Sequence, residues 1–198
     1  MRKPLLIGSA NRKKAQELAE LLEGLPWDVK SLRDFPEVPA PEETGATFEE
    51  NALLKAHYYT EHFKIACVAD DSGLEVDALG GAPGVHSARY AGEAQNDQAN
   101  MEKLLDALEE YLWHERTARF RCCAVFLDPG AEPFIANGVI EGHISVEPFG
   151  KGGFGYDPLF VPEDHDCTFG EMDPADKHEI SHRGRAFRQI RAHLETLG

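Results

Sequence analysis

No stretch of this chain approaches the roughly 20 consecutive apolar residues that a membrane-spanning helix requires. The basic start, Met1-Arg2-Lys3, is followed by an apolar run too short for a secretory signal. Cysteine is sparse: Cys67, Cys122, Cys123 and Cys167 are the only four, and none forms a C-x-x-C pair. That spacing points to small buried apolar side chains rather than to a redox or metal motif. Positive charge is also short, with 20 Lys and Arg against 35 Asp and Glu, a net charge of −15. A field of that sign repels polyanions and excludes sequence-independent binding to DNA or RNA. Any phosphate ligand then needs basic residues concentrated locally. There is no internal repeat, low-complexity tract or obvious linker. The expectation is one cytoplasmic domain over residues 1–198, with neither a membrane nor a nucleic acid as partner.

What is present is an alternation of strand and helix patterns. Pro4 to Ser9 reads as a first strand. Arg12 to Glu23 reads as a helix, with Ala15, Leu18, Ala19 and Leu22 on one face and Asn11 as N-cap. Val29 to Leu32 reads as a second strand, and Phe35 to Gly45 as a loop. Thr47-Phe48-Glu49-Glu50 is a capping box opening a helix that buries Phe48, Ala52, Ala56, Tyr59 and Phe63. Ile65 to Ala69 reads as a strand ending in a turn at Asp70-Asp71-Ser72-Gly73, and Leu74 to Leu79 as a separate strand. A helix is expected over Asp97 to Leu112, with Met101, Leu104, Leu105, Leu108 and Leu112 on one side. A hairpin runs from Ala118–Leu127 through Asp128-Pro129-Gly130 to Phe134–Ile144. A glycine-rich loop over Phe149 to Gly155 precedes a short strand at Leu159 to Val161. Ser181 is expected to cap a last helix carrying Phe187, Ile190, Leu194 and Leu197. The class is α/β with a mixed sheet.

Five constellations can carry chemistry. Ser9-Ala10-Asn11-Arg12-Lys13-Lys14 places three cations at a helix N-terminus, where Asp or Glu is the usual occupant, and a phosphate satisfies both the amides and the cations. Asp70 and Asp71 end a buried strand, where adjacent carboxylates call for a cation. Oxygen ligands of this kind suit Mg²⁺, with Glu42 or Glu43 able to add another. Lys55 sits one helical turn from Asn51. Gly150 to Gly155 matches G-x-G-x-x-G, but Pro158 and a strand follow instead of a helix, so the dinucleotide reading fails. Glycines around Phe154 and Tyr156 let a flat ligand approach, and a base stacked on Phe154 gains roughly 1–3 kcal/mol. His178 to His182 matches H-E-x-x-H. Zinc peptidase chemistry needs both histidines on one continuous helix, and Ser181 and Gly184 break it. Arg183 and His182 read better as donors to a ligand.

Taken in order, these strings resemble one family. Ser9 to Lys14, Thr47 to Ala52, Ala69 to Leu74, Gly80 to Gly84, Ser87 to Tyr90, Gly152 to Pro158 and Ile180 to Gly184 are similar to the inosine triphosphate pyrophosphatases, and they span nearly the whole chain. The resemblance implies an elongated mixed β-sheet flanked by helices, two lobes with a central cleft, and a homodimer. It implies hydrolysis of non-standard purine nucleoside triphosphates (ITP, dITP, XTP) to the monophosphate and pyrophosphate, with magnesium. By resemblance Ser9, Ala10, Asn11, Lys14 and Lys55 hold the triphosphate. Asp71 is the catalytic acid group and a metal ligand, Glu43 is the other ligand, and Ser72 contacts substrate. Phe154, Gly155, Tyr156, Asp157, Lys177, His182 and Arg183 hold base and sugar. One departure stands out: the family usually has Thr-Gly-Asn where this chain has Ser9-Ala10-Asn11. Two rival classes remain: a zinc metallopeptidase centred on His178, Glu179 and His182, and a non-catalytic nucleotide sensor.

Overall fold

The computed structural model describes residues 2–92 and 96–197. Six strands form one sheet in the order β2-β1-β3-β4-β5-β6. They are β1 (Lys3–Ile7), β2 (Trp27–Ser31), β3 (Ala66–Val76), β4 (Thr117–Leu127), β5 (Phe134–Ile144) and β6 (Phe160–Pro162). β1 runs parallel to both β2 and β3, with Leu5 opposite Val29 and Ala66, whereas β5 and β6 are antiparallel. The sheet is therefore mixed, as expected. The helices are α1 (Arg12–Leu21), α2 (Phe48–Phe63), α3 (Asp97–Ala107), α4 (Pro174–Ile180) and α5 (His182–Thr196).

The chain divides into two compact units. The first comprises Met1–Asp71, Cys122–Gly138 and Arg183–Gly198, and the second Ser72–Arg121 and Val139–His182. In the first unit the two-residue period of the strands sorts their side chains cleanly. Leu5, Ile7, Ala66, Val68, Cys122, Ala124 and Phe126 meet Leu18 of α1, Leu22 at its C-cap, and Phe187, Ile190 and Leu194 of α5. The intervening Leu6, Cys67, Ala69, Cys123, Val125 and Leu127 meet Ala52, Ala56 and Tyr59 of α2. With both faces covered, these strands are apolar almost throughout. Cys122 and Cys123 point to opposite faces, and burial pushes the Cys123 thiol up to about 12. The second unit closes around Leu74, Val76, Leu104, Leu108, Phe120, Ile144, Tyr156, Phe160 and Phe169.

Several sequence expectations need correction. Asp70-Asp71-Ser72-Gly73 is not a turn, because β3 runs unbroken through it for 11 residues. Polar residues end strands when they must reach water, but here buried cations meet both carboxylates, so the ladder continues. The helix expected to reach Leu112 stops at Ala107, leaving Leu112 largely exposed. Leu197, assigned to the buried face of the last helix, is half exposed beyond its end. Helix α4 was not foreseen. It starts with Asp173 accepting from the Ala175 N–H and with Pro174 in its first turn, a favoured arrangement at helix starts.

Candidate active site

The two adjacent aspartates of β3 face opposite sides of the sheet, and each is ion-paired directly with a different lysine. Asp71 lies on the α2 side. Its Oδ1 accepts from Lys55 Nζ at 3.0 Å and its Oδ2 from Asn51 Nδ2 at 3.2 Å. Lys55 also donates to Glu43 Oε1 at 3.2 Å, so one ammonium joins the acid of the strand to the acid of the loop before α2. Asp70 lies on the α1 and α5 side. Its Oδ2 is 2.8 Å from Lys14 Nζ and 4.0 Å from Arg183 Nε, and Arg183 Nη1 donates to Glu17 Oε2 at 2.8 Å. All of these groups are buried except Glu43 and Lys14, which keep part of their surface in solvent.

The surroundings separate the two carboxyls. Burial favours the neutral form of Asp70, but Lys14, Arg183 and Lys55 outweigh it and hold this carboxyl below its ordinary range. At Asp71 burial wins. The carboxyl is raised despite Lys55 and Lys14, and Glu43 pushes it the same way. Burial works against the Lys55 charge, yet the carboxylates of Asp71, Asp70 and Glu43 raise its pKa on balance. Asp70 is thus a fixed anion that anchors basic side chains. Asp71 is the carboxyl whose pKa the site raises.

The local folding that places these groups is legible. Asn11 caps α1 by accepting from the Lys14 N–H at 3.1 Å, which turns the Lys14 side chain toward Asp70. Ser9 Oγ donates to the Asn11 carbonyl at 3.4 Å. Among the described residues only Lys64 and Asp164 are non-glycines with positive φ, so Ala10 needs no glycine conformation and the Thr-Gly-Asn departure is accommodated. Thr47 caps α2 by accepting from the Glu50 N–H at 3.1 Å, as the capping box predicts. The Glu50 carboxylate reaches one residue further back than that box requires, to the Ala46 N–H.

In the second unit the Phe154–Asp157 turn is tied to Lys177. Asp157 Oδ2 accepts from the Phe154 N–H and from Lys177 Nζ, each at 2.8 Å, and the ammonium lies 5.3 Å from the Phe154 ring centroid. Gly153 has φ +70°, and a Cβ there would stand 2.1 Å from the Asp157 carboxylate, so the turn requires glycine. The Gly155 N–H donates to Asp97 at 3.0 Å. The Tyr156 ring is buried in the core and its hydroxyl donates to the Ser87 carbonyl, which leaves it a structural part of the turn. His182 is buried and stacks on Phe120 at 4.7 Å. Ser72 follows Asp71 in β3. His178 belongs to α4 and His182 begins α5, with Ser181 between them in an extended conformation. The H-E-x-x-H match therefore lacks the continuous helix a zinc peptidase needs.

Glu43 and Asp71 offer two hard oxygen donors to one point, now held by the Lys55 ammonium. Among the described residues no three His, Cys, Asp or Glu side chains cluster as an all-protein metal cage would.

The Ham1 family model matches residues 5–193. The chain belongs to the Ham1 family. It is 47% identical to the dITP/XTP pyrophosphatase of Oceanobacillus iheyensis over 196 residues, covering 98% of this chain and all of that protein. It is 47% identical to the dITP/XTP pyrophosphatase of Geobacter sulfurreducens, over 98% of both chains. The solved Ham1 protein of Coxiella burnetii superposes with a TM-score of 0.89 at 41% identity, covering 99% of this chain and 100% of that one. The Ham1 protein of Staphylococcus aureus gives 0.87 at 38% identity with the same coverage. Beyond the site residues expected from the sequence, the structure adds Asn51 and Glu17 to the first unit's network, and it pairs Asp70 with Lys14. It also moves Arg183 to that network, beside Asp70. Glu17 carried a signal: an acid three residues after Lys14, on the face that α1 buries.

Proposed function

We infer that this Ham1 family chain hydrolyses non-standard purine nucleoside triphosphates, ITP, dITP and XTP, to the monophosphate and pyrophosphate. The observation that supports it most is the Asp71–Lys55–Glu43 centre, in which a buried acid with a raised pKa stands beside a lysine and a second acid. Lys14 and Lys55 concentrate positive charge in a chain of net charge −15, where a triphosphate needs it. Ser9, Asn11 and the N-terminus of α1 complete that grip. Each Asp71 oxygen accepts one hydrogen bond, and a carboxylate oxygen has lone pairs for a second. Asp71 then orients a water and takes its proton as the water oxygen bonds to the α-phosphorus. The bond from that phosphorus to the α,β-bridging oxygen breaks, and pyrophosphate leaves.

Magnesium fits this donor set, since it is held by one or two carboxylates together with substrate phosphates and water. Glu43 and Asp71 would hold it, and it would neutralise phosphate charge and lower the pKa of a bound water. For the base, Phe154 offers a stacking face and Lys177 a donor. A 6-oxo purine accepts a hydrogen bond where the 6-amino group of adenine cannot, and an unmatched buried donor is costly. The homodimer and a cytoplasmic place of work belong to the same proposal, and a solution mass of two chains checks the first.

The test is pyrophosphate release from ITP, dITP, XTP, GTP and ATP, with and without Mg²⁺. Fast release from the first three, dependent on the metal, is the expected outcome. Equal rates on ATP and ITP overturn the base preference. Tight ITP binding without release means a sensor instead.

A further inference from the structure

Asn51 has no chemical step in the mechanism above, yet it is fully buried and bonded both to Asp71 and to the loop that carries Glu43. Its Nδ2 donates to Asp71 Oδ2 at 3.2 Å, and its Oδ1 accepts from the Gly45 N–H at 2.8 Å. The orientation is forced, because the Gly45 N–H can only donate and so takes the amide oxygen, leaving the amide nitrogen to face Asp71. Among side chains of this length only a carboxamide supplies both functions, and a buried polar group must use them. Asn51 precedes Lys55 by one turn of α2, so both reach the same carboxylate from one helix face. Lys55 takes one Asp71 oxygen and Asn51 the other, which fixes the carboxylate plane. Gly45 stands two residues after Glu43. A Cβ at Gly45 would lie 2.6 Å from Asn51 Oδ1, so glycine is what lets the loop come this close.

We propose that Asn51 is a positioning residue, an amide clamp that holds Asp71 in its catalytic orientation and ties the Glu43 segment to it through Gly45. The proposal rests on the pyrophosphohydrolase reading. Substrate need not touch Asn51. The clamp keeps two acids from different segments in register, ready for phosphate and a divalent cation.

Two variants separate the two bonds. Asn51→Asp keeps an acceptor for Gly45 but loses the donor to Asp71. Asn51→Leu keeps the size and loses both. Each is assayed for kcat and KM on ITP. Hydrogen exchange of the Gly45 amide, read by NMR on metal-free protein, reports the loop independently of turnover. In both variants kcat should fall about 10–100-fold, the usual loss when the partner of an active-site acid is removed, while KM changes far less. Gly45 protection should survive in Asn51→Asp and vanish in Asn51→Leu. Wild-type kcat in Asn51→Asp, or loss of Gly45 protection in that folded variant, overturns the clamp. Should Asn51→Leu fail to fold, Asn51→Asp still decides by both readouts. A wild-type enzyme that releases no pyrophosphate from ITP defeats the functional reading instead, and the Gly45 exchange result continues to judge the clamp.

Discussion

Asp70 and Asp71 are neighbours in sequence with opposite burdens. Asp70, itself closed to solvent, pairs with Lys14 and lies beside Arg183, while Asp71 is held between Lys55 and Asn51 with its pKa raised. Removing one member of a buried pair strands its partner, at a cost of about 3–5 kcal/mol. Asp70→Asn should therefore destabilise the protein by an amount of that order, measured by urea unfolding at neutral pH. Because the folded-state pKa of Asp70 is depressed, its contribution is present above the ordinary value of 3.8 and is lost as pH falls through the lower folded value. The gap between wild type and Asp70→Asn should be full at pH 7 and narrow below that point. A gap that is unchanged or wider in acid would contradict the pairing.

At the level of elements, periodicity carried most of the reading. The hairpin partner Phe134–Ile144 appears with the expected bounds, and α1, α2 and α5 bury most of the faces their spacing predicts. What was not legible depended on contacts distant in sequence. Asp70-Asp71-Ser72-Gly73 looks like a turn until Lys14, Lys55 and Arg183 arrive from three helices to neutralise its acids. Asn51 lay in the quoted Thr47–Ala52 string, yet its two bonds, to Gly45 and to Asp71 of β3, could not be read from its place on α2. Leu112 and Leu197 fit a helical period but fall beyond the last turn, where half or more of their surface stays exposed. Phe187→Ala empties a fully buried position between α5 and the sheet and should cost about 3–5 kcal/mol, whereas Leu197→Ala should stay within about 0.5 kcal/mol. Thermal or urea melts of the two variants compare them directly, and similar losses would mean the α5 packing is misjudged.

Across the whole molecule, a net charge of −15 is compatible with the proposed triphosphate grip because the basic side chains are gathered, not numerous. Lys14, Lys55 and Arg183 sit against Asp70, Asp71, Glu43 and Glu17, so their charge is preorganised and costs little reorganisation when a polyanion arrives. No helix among the described residues is long and apolar enough to cross a membrane. The proposed hydrolysis requires Asp71 to act as the base for water attack at the α-phosphorus. Its most direct test is pyrophosphate release from ITP by wild type and Asp71→Asn at saturating Mg²⁺, alongside circular dichroism of both. A loss of at least about 100-fold in kcat with an unchanged spectrum and melt is predicted, within the usual worth of a positioned base. Turnover by folded Asp71→Asn within a few-fold of wild type would contradict it.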